Sequence, residues 1–470
     1  MNKFRIPASR EQVALFPASI DEYVSSEDAV RYVDALVEEF DLRALEGRYS
    51  YLGRRGYDPR VLTKVILYGK LRGVRSSREL AQACRENLRF IFLAQEEKPD
   101  FRTISDFRKN HLDILGSLLK QTVKIGIEEG VIDLDHVAVD GTKIRANASA
   151  KSFQKPKKLR KLLEVLEKSL SDDVKADEEE DREHGDDDGN FKLPKRLQDR
   201  EVLAKRLRES LKEYDSLVEE ERPKQVSKTD GDAKFMKGPE GKRPSYNAQV
   251  AVDEKCRMVV GARVTTAGSD HGELKPMVEE IKANTGTVPN KVSADKGYRA
   301  TKGLVALEEN NIEGFIPLQA SNKKQISLEH FIYDDQEDEY ICPEGRSLAN
   351  IGEKPEKNVD LYQSEDCTDC PRHSSCIQNP STPRTLKVSK DIGTIERMKH
   401  RLETDAGKQM YKARAKTVEI VFAWKKLHQK MRHFMFRGRT TVNYEWNFEA
   451  VALNLARLVS ERMKMATCRS

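Results

Sequence analysis

Residues 133–147 read Asp-Leu-Asp-His-Val-Ala-Val-Asp-Gly-Thr-Lys-Ile-Arg-Ala-Asn. Apolar and polar residues alternate around Val137 and Val139, the period of a strand. The apolar run stops at Asp140, and Gly141 follows at once. Downstream, SYNAQVAVD (245–253) and RMVVGARVTT (257–266) have the same period and are joined by a short turn at Glu254-Lys255. The period then lengthens to that of a helix in GELKPMVEEIKAN (272–284) and returns to a strand in KVSAD (291–295). A second helix follows near GLVALEENN (303–311), and then a strand, GFIPLQ (314–319).

Strand, hairpin partner, strand, helix, strand, helix, strand is the order of a ribonuclease-H-like α/β core. Its expected parts are residues 131–150 and 241–325, completed by C-terminal helices over 391–470. Upstream, residues 1–130 read as a helical domain. Asp58-Pro59 sets a capping side chain before a proline at the first helical position, and RVLTKVILYGKLRG (60–73) has helical spacing. Ser76 and Glu79 have the spacing of a capping box. A longer helix is expected from near Thr103 to Gly130. The basic connection Leu71-Arg72-Gly73-Val74-Arg75 suits a helix-turn-helix-like DNA-binding module; a helical packing domain with no ligand is the alternative.

Two insertions interrupt the core. Residues 151–240 are charged, with leucine-rich helical periodicity in KLRKLLEVLEKSL (158–170) and RLQDREVLAKRLRESLKEYDSLVEEE (196–221). A helical hairpin with a disordered acidic tip accounts for them most simply. Residues 326–390 form a second, Cys-rich insertion.

At 470 residues the chain is long enough for roughly three domains. No stretch approaches the ~20 apolar residues of a membrane span, and MNKFRIPASREQ lacks the apolar segment of a signal peptide. The expectation is a cytoplasmic protein. The formal net charge of +5 hides segregation. Eleven acids and two bases lie between Ser171 and Asn190, whereas ten Lys or Arg and one acid lie between Lys408 and Arg439. Such a basic block points to a polyanion such as nucleic acid; a solvated helix face is the plain alternative.

Asp140 and Asp295 each end an apolar strand, and strands in this order would lie side by side. Neighbouring carboxylates repel unless a cation sits between them, which makes a divalent metal the economical explanation. For either residue alone, a local turn hydrogen bond is the competing role. Glu419 is the only acid between Asp405 and Glu445. A lone carboxylate adds nothing to the affinity of a basic helix for DNA, but a metal site beside DNA needs one. A surface pair with a neighbouring Lys is the alternative. Lys426 lies two turns beyond Glu419 on the same face, with Val418, Val421 and Phe422 on the apolar side.

VAVDGTKIRANAS (137–149), ADKGYRA (294–300) and Tyr411-x-x-Arg414 leading into Thr417-Val418-Glu419-x-Val421-Phe422-x-x-x-Lys426 together resemble the three catalytic blocks of bacterial insertion-sequence DDE transposases. The resemblance extends over most of the chain. It takes in YDPRVLTKVILYG (57–69), FRTISDFRKNH (101–111) and both insertions. One departure is visible: the family's VEPVFGxxK block is VEIVFAWKK here, with Ile420 for Pro and Ala423 for Gly.

The resemblance implies that Asp140, Asp295 and Glu419 hold two Mg²⁺ or Mn²⁺ ions. One ion would activate water and later a DNA 3′-hydroxyl, and the other would stabilise the leaving oxygen. It also implies that Tyr411, Arg414 and Lys426 contact phosphates at the transposon end. Lys296 and Arg299 are further DNA-binding candidates on charge. The implied partners are double-stranded DNA, as transposon ends and target, and a second copy of the chain in synapsis. No ATP, small-molecule cofactor or membrane is expected, and the setting is bacterial, at the nucleoid. A metal-dependent nuclease or resolvase that never joins strands, and a non-catalytic DNA-binding regulator, are the rival functions.

Seven cysteines in a chain this long argue against a disulfide scaffold. Cys342, Cys367, Cys370 and Cys376 form a CxxC pair with two outliers, a candidate Cys₄ zinc site that would let the second insertion fold around a small core. Free thiols in a reducing cytosol are the alternative.

Overall fold

The computed structural model describes residues 19–50, 56–184, 195–216, 219, 222–238, 241–318, 326–355, 358–365, 367, 369–377 and 383–468. The fold is mixed α/β, and the chain divides into two compact units. One comprises residues 1–133, 141–268 and 419–470; the other comprises 134–140 and 269–418.

The first unit opens with seven helices: α1 (Ala29–Glu38), α2 (Arg43–Glu46), α3 (Pro59–Leu71), α4 (Ser77–Glu86), α5 (Leu88–Leu93), α6 (Phe101–Asn110) and α7 (Leu112–Glu128). Side chains start several of them. Asp28, Asp58, Asn87 and Asp100 each accept a backbone N–H from the first turn. Helix α4 begins where the capping-box spacing predicts, but the Ser76 side chain makes no cap bond. The expected long helix over Thr103–Gly130 is instead two, α6 and α7, broken at His111. There the Arg48 guanidinium donates to the Asn110 carbonyl at 2.6 Å and to Asp113, so a distant side chain supplies what a continuous helix would have.

Strand β1 (His136–Arg145) belongs to both units, its first half to the second and its last half to the first. After it come β2 (Phe153–Gln154), α8 (Pro156–His184), α9 (Lys195–Ser216), β3 (Val226–Ser227), β4 (Lys234–Gly238), β5 (Gly241–Asp253) and β6 (Val259–Thr265). Helices α8 and α9 pack as a hairpin around Leu159, Leu207 and Leu211. The acidic run read as a disordered tip is helical as far as His184; residues 185–194 lie outside the described residues. In this unit β4, β5 and β1 are successive neighbours, and β6 pairs antiparallel with β5.

The second unit continues with α10 (Leu274–Thr285), β7 (Lys291–Ala294), α11 (Thr301–Glu309) and β8 (Glu313–Phe315). Here β1, β7 and β8 run parallel. A separate antiparallel sheet follows, made of β9 (Ile332–Asp334), β10 (Glu339–Ile341), β11 (Ser347–Lys354), β12 (Val359–Gln363) and β13 (Thr385–Ser389), with α12 (His373–Cys376) before its last strand. Phe331, Tyr340, Leu348, Tyr362, Leu386 and Val388 give it a small core of its own. Helix α13 (Ile392–Glu403) leads to α14 (Asp405–Leu427), which passes into the first unit at Glu419, and α15 (Arg439–Thr467) closes the chain.

Helix α15 packs along α7, α1, α3 and β6. It carries Glu445 and Glu449 into the interior of the first unit, where Glu449 is fully buried. Lys70 pairs with Glu449, and Arg75 lies 2.9 Å from it and 3.7 Å from Glu445. Lys425 is also buried, with Nζ 3.6 Å from the centre of the Trp446 ring. Arg75, read from sequence as part of a basic connection, thus faces buried carboxylates. Among the described residues, no helix is long and apolar enough to cross a membrane.

Candidate active site

In the second unit, Val139 of β1 stands opposite Ala294 of β7 in parallel register. The next residue along each chain is an acid, Asp140 and Asp295. Neighbouring strands lie ~4.8 Å apart, so parallel pairing brings both carboxylates to the carboxyl end of the β1–β7 pairing, the side on which open α/β sheets place their sites. Asp140 does not end its strand as expected, because β1 runs on to Arg145.

Each carboxylate is already engaged. Arg414, on α14, donates from a terminal guanidinium nitrogen to Asp140 Oδ2 at 3.1 Å; both side chains are largely buried, at 13% and 20% exposure. The Arg414 guanidinium also lies 5.5 Å from the Tyr411 ring. Asp295 turns back on its own chain, its Oδ1 accepting the Gly297 N–H at 2.6 Å and starting a short 3₁₀ turn, Lys296–Tyr298. That turn buries Tyr298 completely. Burial first, and then the charges of Asp270, Asp140, Asp295 and Glu273, push its phenol well above the ordinary tyrosine range. Asp270 also stands close to Asp295, since a side chain at Gly297 would meet both acids.

Asp270, Glu273 and Tyr298 are therefore part of the carboxylate surroundings that sequence reasoning missed. The available signal was two acids in the turn-rich stretch Gly268-Ser-Asp-His-Gly-Glu273 just after a strand. His271, in the same stretch, is exposed.

Lys296 is exposed, and Arg299 donates to the Lys296 carbonyl at 3.0 Å. Glu419 falls in the first unit, exposed on α14 beside buried Val418 and Val421, as the helix spacing predicts. Lys426 is exposed two turns on and donates to Thr142 Oγ1 at 3.2 Å. Trp446 and Phe434 are buried core residues, the indole N–H donating to the Gln249 carbonyl at 2.8 Å.

The four cysteines of the second insertion line one small cavity with His373, Phe331 and Arg384. Cys342 Sγ accepts the Arg346 N–H at 3.3 Å across a turn. Burial raises the Cys376 thiol, with further upward contributions from Cys367, Cys370 and Cys342. Among the described residues, no group of three or more His, Cys, Asp or Glu side chains is arranged to hold a metal ion.

Residues 18–110 match the Transposase domain (DUF772) family, and residues 341–459 match the Transposase DDE domain family. The second match takes in all four cysteines and Glu419, whereas Asp140 and Asp295 lie outside both. No curated protein matches the chain. The two matches are consistent with an insertion-sequence DDE transposase. They point to a nuclease/transposase class of enzyme that acts on DNA and generally uses divalent metals.

Proposed function

We propose that the chain is the transposase of an insertion sequence, binding the terminal inverted repeats of its element and carrying out metal-dependent strand cleavage and transfer. The observation that carries this is that Asp140 and Asp295 each follow directly on the last paired residues, Val139 and Ala294, of parallel strands β1 and β7. Strand neighbours β6, β5 and β1 in one unit and β1, β7 and β8 in the other, antiparallel between β5 and β6 and parallel from β1 to β8, support reading the core as ribonuclease-H-like. In this reading residues 1–130 bind DNA, 151–240 and 326–390 are insertions, and 391–470 complete the core.

The donor set suits two Mg²⁺ or Mn²⁺ ions. Asp140 and Asp295 offer hard carboxylate oxygens, and Arg414 on Asp140 marks a place where positive charge is already stabilised. Asp140, Asp295 and Glu419 would hold the ions. When bound, these supply an activated oxygen nucleophile and neutralise the charge on the leaving oxygen. The chain's own side chains do the positioning: the Tyr411 hydroxyl and the cations Arg414, Lys426, Lys296 and Arg299 hold phosphates of the transposon end. Strand transfer forms one phosphodiester P–O bond as another breaks, so no ATP is needed. A synaptic assembly of two or more copies at the nucleoid belongs to the same reading.

The test is a pre-cut duplex end, incubated with Mg²⁺ and plasmid target. Joined product supports transposition, and cleavage without joining supports a nuclease or resolvase.

A structural zinc ion on Cys342, Cys367, Cys370 and Cys376 is part of the proposal. Cys367, Cys370 and Cys342 are near enough to raise the cost of ionising Cys376, and all four thiols line one cavity. Binding would draw the four sulfurs together around the ion.

A further inference from the structure

The first unit contains an open cleft of about 540 Å³ that the catalytic reading does not use. Its walls come from three segments: residues 145–152, Lys228–Thr229, and the loop carrying His433 and Arg437. Arg145, Lys151, Lys228 and Arg437 line it, and no acidic side chain does among the described residues. Arg145, Lys151 and Arg437 are exposed, and Lys228 is half-buried.

The loop is held in place by a set of hydrogen bonds, several of them part-buried. Arg145 and His433 form a parallel bridge, and the Phe434 N–H donates to the Arg145 carbonyl at 2.9 Å. Asn147 Nδ2 donates to the Met435 carbonyl at 2.6 Å, and the Glu445 carboxylate accepts the N–H groups of Met435 and Phe436 at 3.0 and 3.1 Å. Gly438 turns with φ +79°, a conformation that favours glycine, and its N–H donates to buried Asp230 at 3.1 Å. Arg437 Nε donates to the Asn147 carbonyl at 2.9 Å, which fixes the guanidinium at the rim. Of the acids of the neighbouring cleft, Glu209, Asp230 and Asp232, two also bond to this loop: Asp230 accepts the Gly438 N–H as well as the Tyr246 hydroxyl, and Asp232 accepts the Arg439 N–H.

We infer that this cleft is a seat for the sugar-phosphate backbone of duplex DNA, with Arg145, Lys151, Lys228 and Arg437 as its phosphate contacts. Charge complementarity selects the occupant. Four cations brought together by three bonded segments, with no acidic side chain among the described lining residues, match consecutive phosphates of one strand. Arg145 lies five residues beyond Asp140 on the same strand. The inference rests on the transposase reading.

Fluorescence anisotropy with a labelled mixed-sequence duplex tests it, titrated from 50 to 200 mM salt on the full chain. K151Q/K228Q should bind about 10-fold more weakly at 100 mM salt, with the slope of log Kd against log salt shallower by about 2, near 0.9 per lost phosphate contact. Adding R437Q should shallow it further. Lys151 is exposed and Lys228 half-buried, and a thermal melt matching wild type accompanies the expected result. Wild-type affinity and slope in both variants would overturn the cleft assignment alone. A wild-type chain that fails to bind duplex at 50 mM salt would overturn the transposase reading together with it.

Discussion

The Arg414 guanidinium lies 3.1 Å from Asp140 Oδ2, so the first proposed catalytic acid is held by an ion pair within the second unit. A largely buried pair is costly to break from one side, because the remaining charge loses its partner. R414Q should therefore destabilise the chain by about 1–2 kcal/mol in chelator, and millimolar Mn²⁺ should restore more stability than it adds to wild type. Thermal melts with and without Mn²⁺ measure this. Equal metal stabilisation of both proteins would remove Asp140 from the proposed ion site.

Gly297 offers a second handle. A methyl at this position would come within 2.8 Å of Asp295 Oδ1 and 3.5 Å of Asp270 Oδ2. The Asp295 carboxylate must then swing away from the Gly297 N–H that it accepts. G297A should lower metal-dependent strand cleavage about 10-fold or more, as misplacing a catalytic group does, while leaving duplex affinity unchanged. Parallel cleavage and anisotropy assays check it; undiminished cleavage would show that the Asp295 position is not needed.

The buried charges on α15 set a pH dependence. Burial, with Lys70 and Arg75 nearby, pulls Lys425 down from 10.5 to about 7, against the opposing pull of Glu449. Between about pH 7 and 10.5 the unfolded chain then binds more protons than the folded one, so this group makes stability rise with pH across that window. K425M should flatten the rise when urea midpoints are compared at pH 7 and 9. Glu449 acts in the acid range. Although burial opposes it, Arg75, Lys70 and Lys425 hold its carboxyl at about 2. Its contribution is complete above its unfolded pKa and is lost as pH falls toward 2. E449Q, which strands buried cations, should cost about 3–5 kcal/mol at neutral pH.

Much of the local structure was legible because it is written in nearest-neighbour patterns. Asp58-Pro59 starts α3, and the alternation around Val137 and Val139 makes β1. The break at His111 was not legible, since it depends on Arg48, more than 60 residues away. Nor was the burial of Lys70, Lys425 and Glu449, which look like ordinary surface residues until α15 packs among the N-terminal helices. At the site, Asp140 and Asp295 announced themselves by following apolar strand residues, although only Asp295 stands at the end of its strand and β1 runs on past Asp140 to Arg145. Asp270 and Tyr298 did not, because only the fold sets them around the same carboxylates.

The cysteine cluster predicts a metal content. Purified chain should carry about one zinc per copy, and Co²⁺ exchanged into it should show thiolate charge-transfer absorption of tetrahedral sulfur coordination. C376S should lose that absorption and loosen the small sheet around Tyr340 and Tyr362. Zinc-free protein with an unchanged melting point would instead assign the four residues to free thiols.

Strand transfer from a pre-cut transposon end, measured for wild type, D140N, D295N and E419Q at equal DNA occupancy, tests the central claim most directly. The account predicts Mg²⁺-dependent joined product from wild type, and product at least about 1,000-fold lower in each variant, since each removes a carboxylate from the proposed ion site. Joining by E419Q at the wild-type rate would contradict it.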